Sequence, residues 1–185
     1  MDIAQLINEL TSDRTIKINE VPDIELYMDQ VVGFIDSRMA HLKRHEKDKI
    51  ITSTMVNNYA KAGIIKASHK KKYEQSHVLQ LMMIYHLKQI ISIQDIDHLL
   101  NSVVSREQVT IEQLYELFSQ VREKNKKWLT DNVERQMGEI EPLVNNLPAK
   151  DQEGSRARLL ALVLVLQAEL LKRTAERLLD FDYLK

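Results

Sequence analysis

Leu114, Leu117, Phe118, Val121, Trp128, Leu129, Val133, Met137 and Ile140 keep helical spacing from a capping signal at Thr110 and Gln113 up to Pro142. The stripe predicts one amphipathic helix of about 30 residues, against a globular mean of roughly 11 to 12. A helix that long packs against its own chain or against another copy. Composition points the same way. Four glycines and three prolines in 185 residues leave few tight turns, so long helices are favoured over sheets. The expected fold is mainly α, and 44% hydrophobic residues suffice for one domain, or one domain plus an appended bundle.

Shorter elements flank the long helix. Ile3, Leu6, Ile7 and Leu10 predict an N-terminal helix or arm that ends in the polar TSDRT before Ile16. Pro22 and Asp23 form a start signal for a helix with Ile24, Tyr27, Met28, Val31, Ile35, Met39 and Leu42 on one face, and the charged HLKRHEKDK follows it. Thr52 is a natural N-cap for a short helix over Ser53 to Ala62 that stops at Gly63. Met55, Val56 and Tyr59 form its inner side, which leaves Thr54, Asn57, Asn58 and Lys61 outside.

From Ile64 to Tyr73 the chain runs apolar, then lysine-rich, then aromatic, the pattern of two short strands joined by a basic tip. Val78 to Ile91 is apolar nearly all round and predicts the central buried helix of a small domain, core rather than a cofactor box. Ser92 and Asp95 make a capping-box-like pair for a helix packed through Ile96, Leu99 and Leu100. The expected division is a first domain over residues 1–104 and a helical dimerisation or effector region over 105–185. Within the latter, NNLPAKDQEG breaks the long helix, and a last helix from about Glu153 to Leu179 carries LLALVLVLQAELL, buried in a bundle or in a dimer contact.

Charge is segregated. The formal net charge is −1, yet nine basic and two acidic residues lie between Lys43 and Lys72, which leaves 17 basic and 25 acidic residues elsewhere. Such a distribution gives one positive face on an acidic body. Lys61, Lys66, Lys70, Lys71 and Lys72 are placed to neutralise phosphates, and Asn57 and Asn58 carry the amide geometry that pairs with adenine in a major groove. Lys43, Arg44, Lys47 and Lys49 would add flanking phosphate contacts, with Tyr59 a packing residue whose hydroxyl reaches the backbone.

These residues carry a resemblance. ITSTMVNNYAKAGII, the basic KASHKKKY and SHVLQLMMIYHLKQIISIQDIDHLL follow one another as in the winged helix-turn-helix of MerR-type regulators, with Ser92 to Ile96 in the place of that family's xSLEEI segment. PDIELYMDQV at Pro22 to Val31 and LKQIISIQDI at Leu87 to Ile96 also resemble a family of Firmicute proteins described as MerR-related transcriptional regulators. The resemblance spans Pro22 to Leu100. It implies duplex DNA as partner, a homodimer, and Thr52, Thr54, Asn57, Asn58, Lys61, Lys66, Lys70, Lys71 and Lys72 as the DNA-binding set. It further implies a small-molecule effector pocket, placed among Phe118, Trp128 and the last helix. The sequence departs from MerR proteins in the long helix and charged segment ahead of Thr52, and in a wing of lysines rather than arginines. The alternative is an interaction module of the same fold that docks on an acidic protein.

Other functions lack a starting residue. No Gly-rich phosphate loop, G-x-S-x-G or apolar carboxylate pair occurs, so an enzyme and a cofactor are not expected. His41 and His45 have helical metal spacing but no third ligand, and Lys43 and Arg44 repel a cation, so no metal site is expected. The absence of cysteine fits a reducing cytoplasm. MDIAQLINEL is acidic and does not resemble a signal peptide, and the longest apolar run, Leu159 to Leu166, is far below the roughly 18 residues that span a bilayer.

Overall fold

The computed structural model describes residues 3–12, 15–148 and 151–183. Asp13 and Arg14 of the TSDRT boundary, and Ala149 and Lys150 of the break before the last helix, lie outside the described residues. The chain is mainly helical, in the order α1 (Ile3–Ser12), β1 (Leu26–Tyr27), α2 (Met28–Arg38), α3 (Ser53–Lys61), β2 (Lys72–Tyr73), α4 (Gln75–Leu87), α5 (Ile93–Arg106), α6 (Ile111–Asn145) and α7 (Gln152–Tyr183). By compactness it forms two units, one over Thr15–Gln120 and one made of Met1–Arg14 with Val121–Lys185.

The Thr15–Gln120 unit is built around α4. Every residue from His77 to Ile84 is buried, the polar His77 and Gln80 along with the six apolar ones. Packed about it are Val31 and Ile35 of α2, Val56 of α3, Ile96 and Leu100 of α5, and Leu114 and Tyr115 of α6. The Tyr115 hydroxyl donates to the Ile16 carbonyl at 2.8 Å and pins the start of α6 to the segment that enters the unit. Helix α4 ends at Leu87 rather than near Ile91, because Lys88 caps it and Ser92 opens the next helix. That opening is a true capping box. Ser92 Oγ accepts from the Asp95 amide at 3.1 Å, and Asp95 Oδ2 accepts from the Ser92 amide at 3.3 Å. Thr110 and Gln113 cap α6 with the same reciprocity, at 3.2 and 2.8 Å.

The two short strands expected within residues 64–73 are reduced to β2 and an isolated bridge at His69, because β2 pairs with β1 instead. Two helices besides α4 also differ from the sequence reading. Helix α2 begins at Met28, not at Pro22, because Leu26 and Tyr27 pair antiparallel with Tyr73 and Lys72. Ile24 and Tyr27 are therefore exposed, whereas Val31, Ile35 and Met39 stay on the buried stripe. The helix also ends at Arg38, and a single 3-10 turn over Ala40–Leu42 follows, so His41 and His45 share no α-helical face. The second difference is Pro142, which does not stop α6. Proline clashes with the carbonyl four residues back, here that of Gly138. Burial of Val144 stabilises the extra turn to Asn145.

In the other unit, Ile3 and Ile7 of α1 pack with Val133, Ile140 and Val144 of α6 and Leu160 of α7. Asn132 and Gln167 bridge α6 and α7 at 2.9 Å, and Arg156 clasps Glu141 through two bonds of 2.8 and 2.7 Å. A bidentate pair and a partly buried amide pair set which residues of the two helices face each other. No helix among the described residues is long and apolar enough to cross a membrane.

The packing of α6 on α4 yields a prediction about where the domain can be cut. A fragment of residues 15–120 should unfold cooperatively in urea. A fragment ending at residue 104 lacks Leu114, Tyr115 and the Ile16 bond and should lose most slow-exchanging amides. Within the full chain, Leu81→Ala at a fully buried site should cost about 2 to 5 kcal/mol, read from the urea midpoint.

Candidate nucleic-acid interface

Helix α3 presents a polar face because both of its ends are held locally. Thr52 Oγ1 accepts from the Met55 amide at 3.2 Å, so Thr52 serves as the N-cap and is half-buried. At the other end Gly63 takes φ +77°, the Ile64 amide donates to the Tyr59 carbonyl at 3.0 Å, and the Gly63 amide donates to Ala60 at 3.2 Å. This is a Schellman stop, where a left-handed residue favours glycine. Between the caps Val56 and Tyr59 are buried, and Thr54, Asn57, Asn58 and Lys61 are all exposed. Burial also holds the Tyr59 phenol above its ordinary pKa, so that side chain is neutral core.

The lysines beyond α3 form a turn with an unusual backbone. The Lys72 amide donates to the His69 carbonyl at 2.9 Å, His69 and Lys72 form an antiparallel bridge, and Lys70 and Lys71 between them sit at φ +50° and +64°. Positive φ at both central residues is the pattern of a type I′ hairpin, which asparagine and glycine normally supply. A side chain there costs on the order of 1 kcal/mol per residue. Lys70 and Lys71 are exposed, as are Lys61 and Lys66, and the charge of Lys70 also acts on Glu25.

Two of the predicted cations are committed within the chain. Lys72 reaches Glu25 at 3.0 Å and stands 6.0 Å over the Tyr27 ring, an arrangement created by the β1–β2 pairing. The hydrogen bond with Glu25 raises the Lys72 pKa and lowers that of Glu25. Lys43 bonds Asp36 at 2.8 Å across the end of α2, and the same contact lowers the Asp36 pKa. Both acids are far from the lysine run in pattern, and no local signal marks them. Arg44, Lys47 and Lys49 remain exposed.

The root of the hairpin rests on His77, which sequence spacing alone does not single out. Its Nδ1 accepts from the Glu74 amide at 3.0 Å and so caps α4 from the third position. Nε2 is buried without a hydrogen bond of good geometry, on the side of the Lys66 backbone. Its ring meets Tyr73 edge-on at 5.6 Å. Burial pushes the His77 pKa below its ordinary value, so the imidazole is neutral in the fold. A hollow of about 450 Å³ opens nearby, with Lys66, Glu74 and Glu112 on its wall; this mixed charge selects neither sign of ligand. Of the residues expected to form an effector pocket, Phe118 packs on the first core and Trp128 is half exposed on α6. Among the described residues no group of three or more His, Asp or Glu is placed to hold a metal ion.

This arrangement defines a small helical domain with a two-stranded sheet, closed by the first turns of α6. Residues 16–118 match the model of a domain of unknown function, DUF1836, over more than half of the chain and almost the whole Thr15–Gln120 unit. The chain belongs to that family. No curated protein and no solved structure matches it.

Buried neutral His77 makes stability depend on pH. The unfolded chain takes up a proton near pH 6.5 and the folded one only at lower pH, so His77 favours the fold fully above about 6.5 and less as pH falls. The melting temperature should therefore drop between pH 7 and 5. His77→Gln, which keeps an acceptor for the Glu74 amide, should flatten that drop.

Proposed function

We propose that the domain binds duplex DNA, with α3 entering the major groove and the His69–Lys72 turn acting as the wing of a MerR-like winged helix-turn-helix, in a homodimeric transcription regulator that is not an enzyme. The observation that carries the reading is the pair of exposed lysines at positive φ. A solvated charge run needs no strained turn, and Asn-Gly would close the same hairpin at lower cost. Lysine at both positions fits a demand for two cations at the tip.

The outer face of α3 supports the same reading. Asn57 and Asn58 offer bidentate amides to adenine, and Thr54 and Lys61 flank them on exposed turns. Lys66, Lys70 and Lys71 supply phosphate contacts that position the helix, whereas Thr52 and Lys72 act from within, one as the cap and one as the pin between β2 and Glu25. A homodimer would set two such helices about 34 Å apart, or a multiple of that, on a near-palindromic site.

The double change Lys70→Asn with Lys71→Gly separates folding from binding. It should hold or raise the melting temperature, because both residues accept positive φ, while affinity for DNA selected from a random pool falls at least tenfold. The slope of log affinity against log salt should drop by about 2, one for each lost phosphate contact. Equal affinity and slope in variant and wild type would remove the hairpin from the interface, and selection that enriches no DNA would leave the acidic-protein alternative.

A further inference from the structure

Helix α7 is apolar beyond what its own chain covers. Among the described residues of its unit, the large apolar side chains that are buried are Ile3, Ile7, Val133, Ile140, Val144, Leu160 and Leu179. Helix α7 alone exposes an equal number: Leu162, Val165, Leu166, Leu170, Leu171, Leu178 and Phe181, each between 54% and 67% accessible. At about 100° per residue Leu162, Leu166, Leu170 and Phe181 fall within an arc of about 100° and Leu178 borders it, whereas Val165 and Leu171 lie on other sides of the helix.

We infer that this face of α7 docks on the same face of a second copy of the chain. The five side chains of that arc present roughly 550 Å² of accessible surface on each copy, so a two-fold contact would bury about 1,100 Å², above the roughly 1,000 Å² that a specific interface needs. Charge selects the occupant. Helix α7 holds five basic and five acidic residues. In its second half Lys172 pairs with Glu176, Arg173 with Glu169 and Arg177 with Asp180, at 2.6, 3.2 and 3.6 Å. No surplus cation remains to attract an acidic protein or an anionic bilayer, and no surplus of either sign repels an identical helix. A two-fold contact requires a patch that complements itself, and a neutral apolar row flanked by satisfied charges meets that condition.

The inference rests on the homodimer within the proposed function and is independent of DNA. Sedimentation of the full chain at micromolar concentration, without DNA, should give twice the chain mass, and Leu166→Glu with Leu170→Glu should halve it while helical circular dichroism is retained. Because the chain has no cysteine, Leu170→Cys provides a second measurement that does not depend on the double variant folding. Its oxidation should yield covalent dimer in large excess over Ser37→Cys on α2. A wild-type monomer, a dimer that survives both glutamates, equal cross-linking at the two positions, or partition of the monomer onto anionic vesicles would each overturn the inference. Loss of DNA affinity in the hairpin variant with the dimer intact would show that the two readings stand or fall separately.

Discussion

A helix without a wet face organises the family domain. From His77 to Ile84 every side chain of α4 is buried, so a neighbour must cover each direction around its axis. Helices α2, α3 and α5 cover part of it, and the first turns of α6 close the rest through Leu114, Tyr115 and Phe118. The domain therefore extends past the loop after α5, and the family match ends within α6 at residue 118. Burial of each large side chain in such a core contributes on the order of 2 kcal/mol, which is what permits local strain elsewhere in the unit.

That strain is concentrated at the hairpin. Lys70 and Lys71 hold positive φ because the flanking residues leave the turn no alternative: Tyr73 is buried against α4, Lys72 is paired with Tyr27 across the sheet, and Lys72 also reaches Glu25. One cation is spent inside the chain, and two are held out to solvent. The Lys43–Asp36 pair has the same effect at the end of α2. The positive face is thus narrower than the lysine count suggests: Lys70 and Lys71 sit on a tight turn and Lys61 on a capped helix, while Arg44, Lys47, Lys49 and Lys66 lie outside helices and strands.

The second unit has the opposite balance. Its three helices are joined by a small apolar cluster and a few specific polar contacts, Asn132 with Gln167 and Arg156 with Glu141, which set register while burying little surface. Amide pairs and ion pairs of this kind add specificity more than stability. The apolar row of α7 is the larger reserve of burial energy, and it is realised only when another surface covers it.

Much of this architecture was legible in the sequence wherever the determining interaction is local. The caps at Thr52, Ser92 and Thr110, the glycine stop at Gly63, the buried run in α4 and the outward set Thr54, Asn57, Asn58 and Lys61 all follow from residues within a turn of one another. Tertiary structure decided the rest. The strand at Leu26–Tyr27 depends on partners 47 and 45 residues away, so helical periodicity alone started α2 too early. Lys72 and Lys43 looked available because the acids that hold them lie outside the basic run, and Pro142 looked like a stop because burial of Val144 cannot be seen in a propensity. Local hydrogen bonding and periodicity write the elements into the chain, whereas pairing and burial between distant segments decide which charges stay free and which apolar faces remain uncovered.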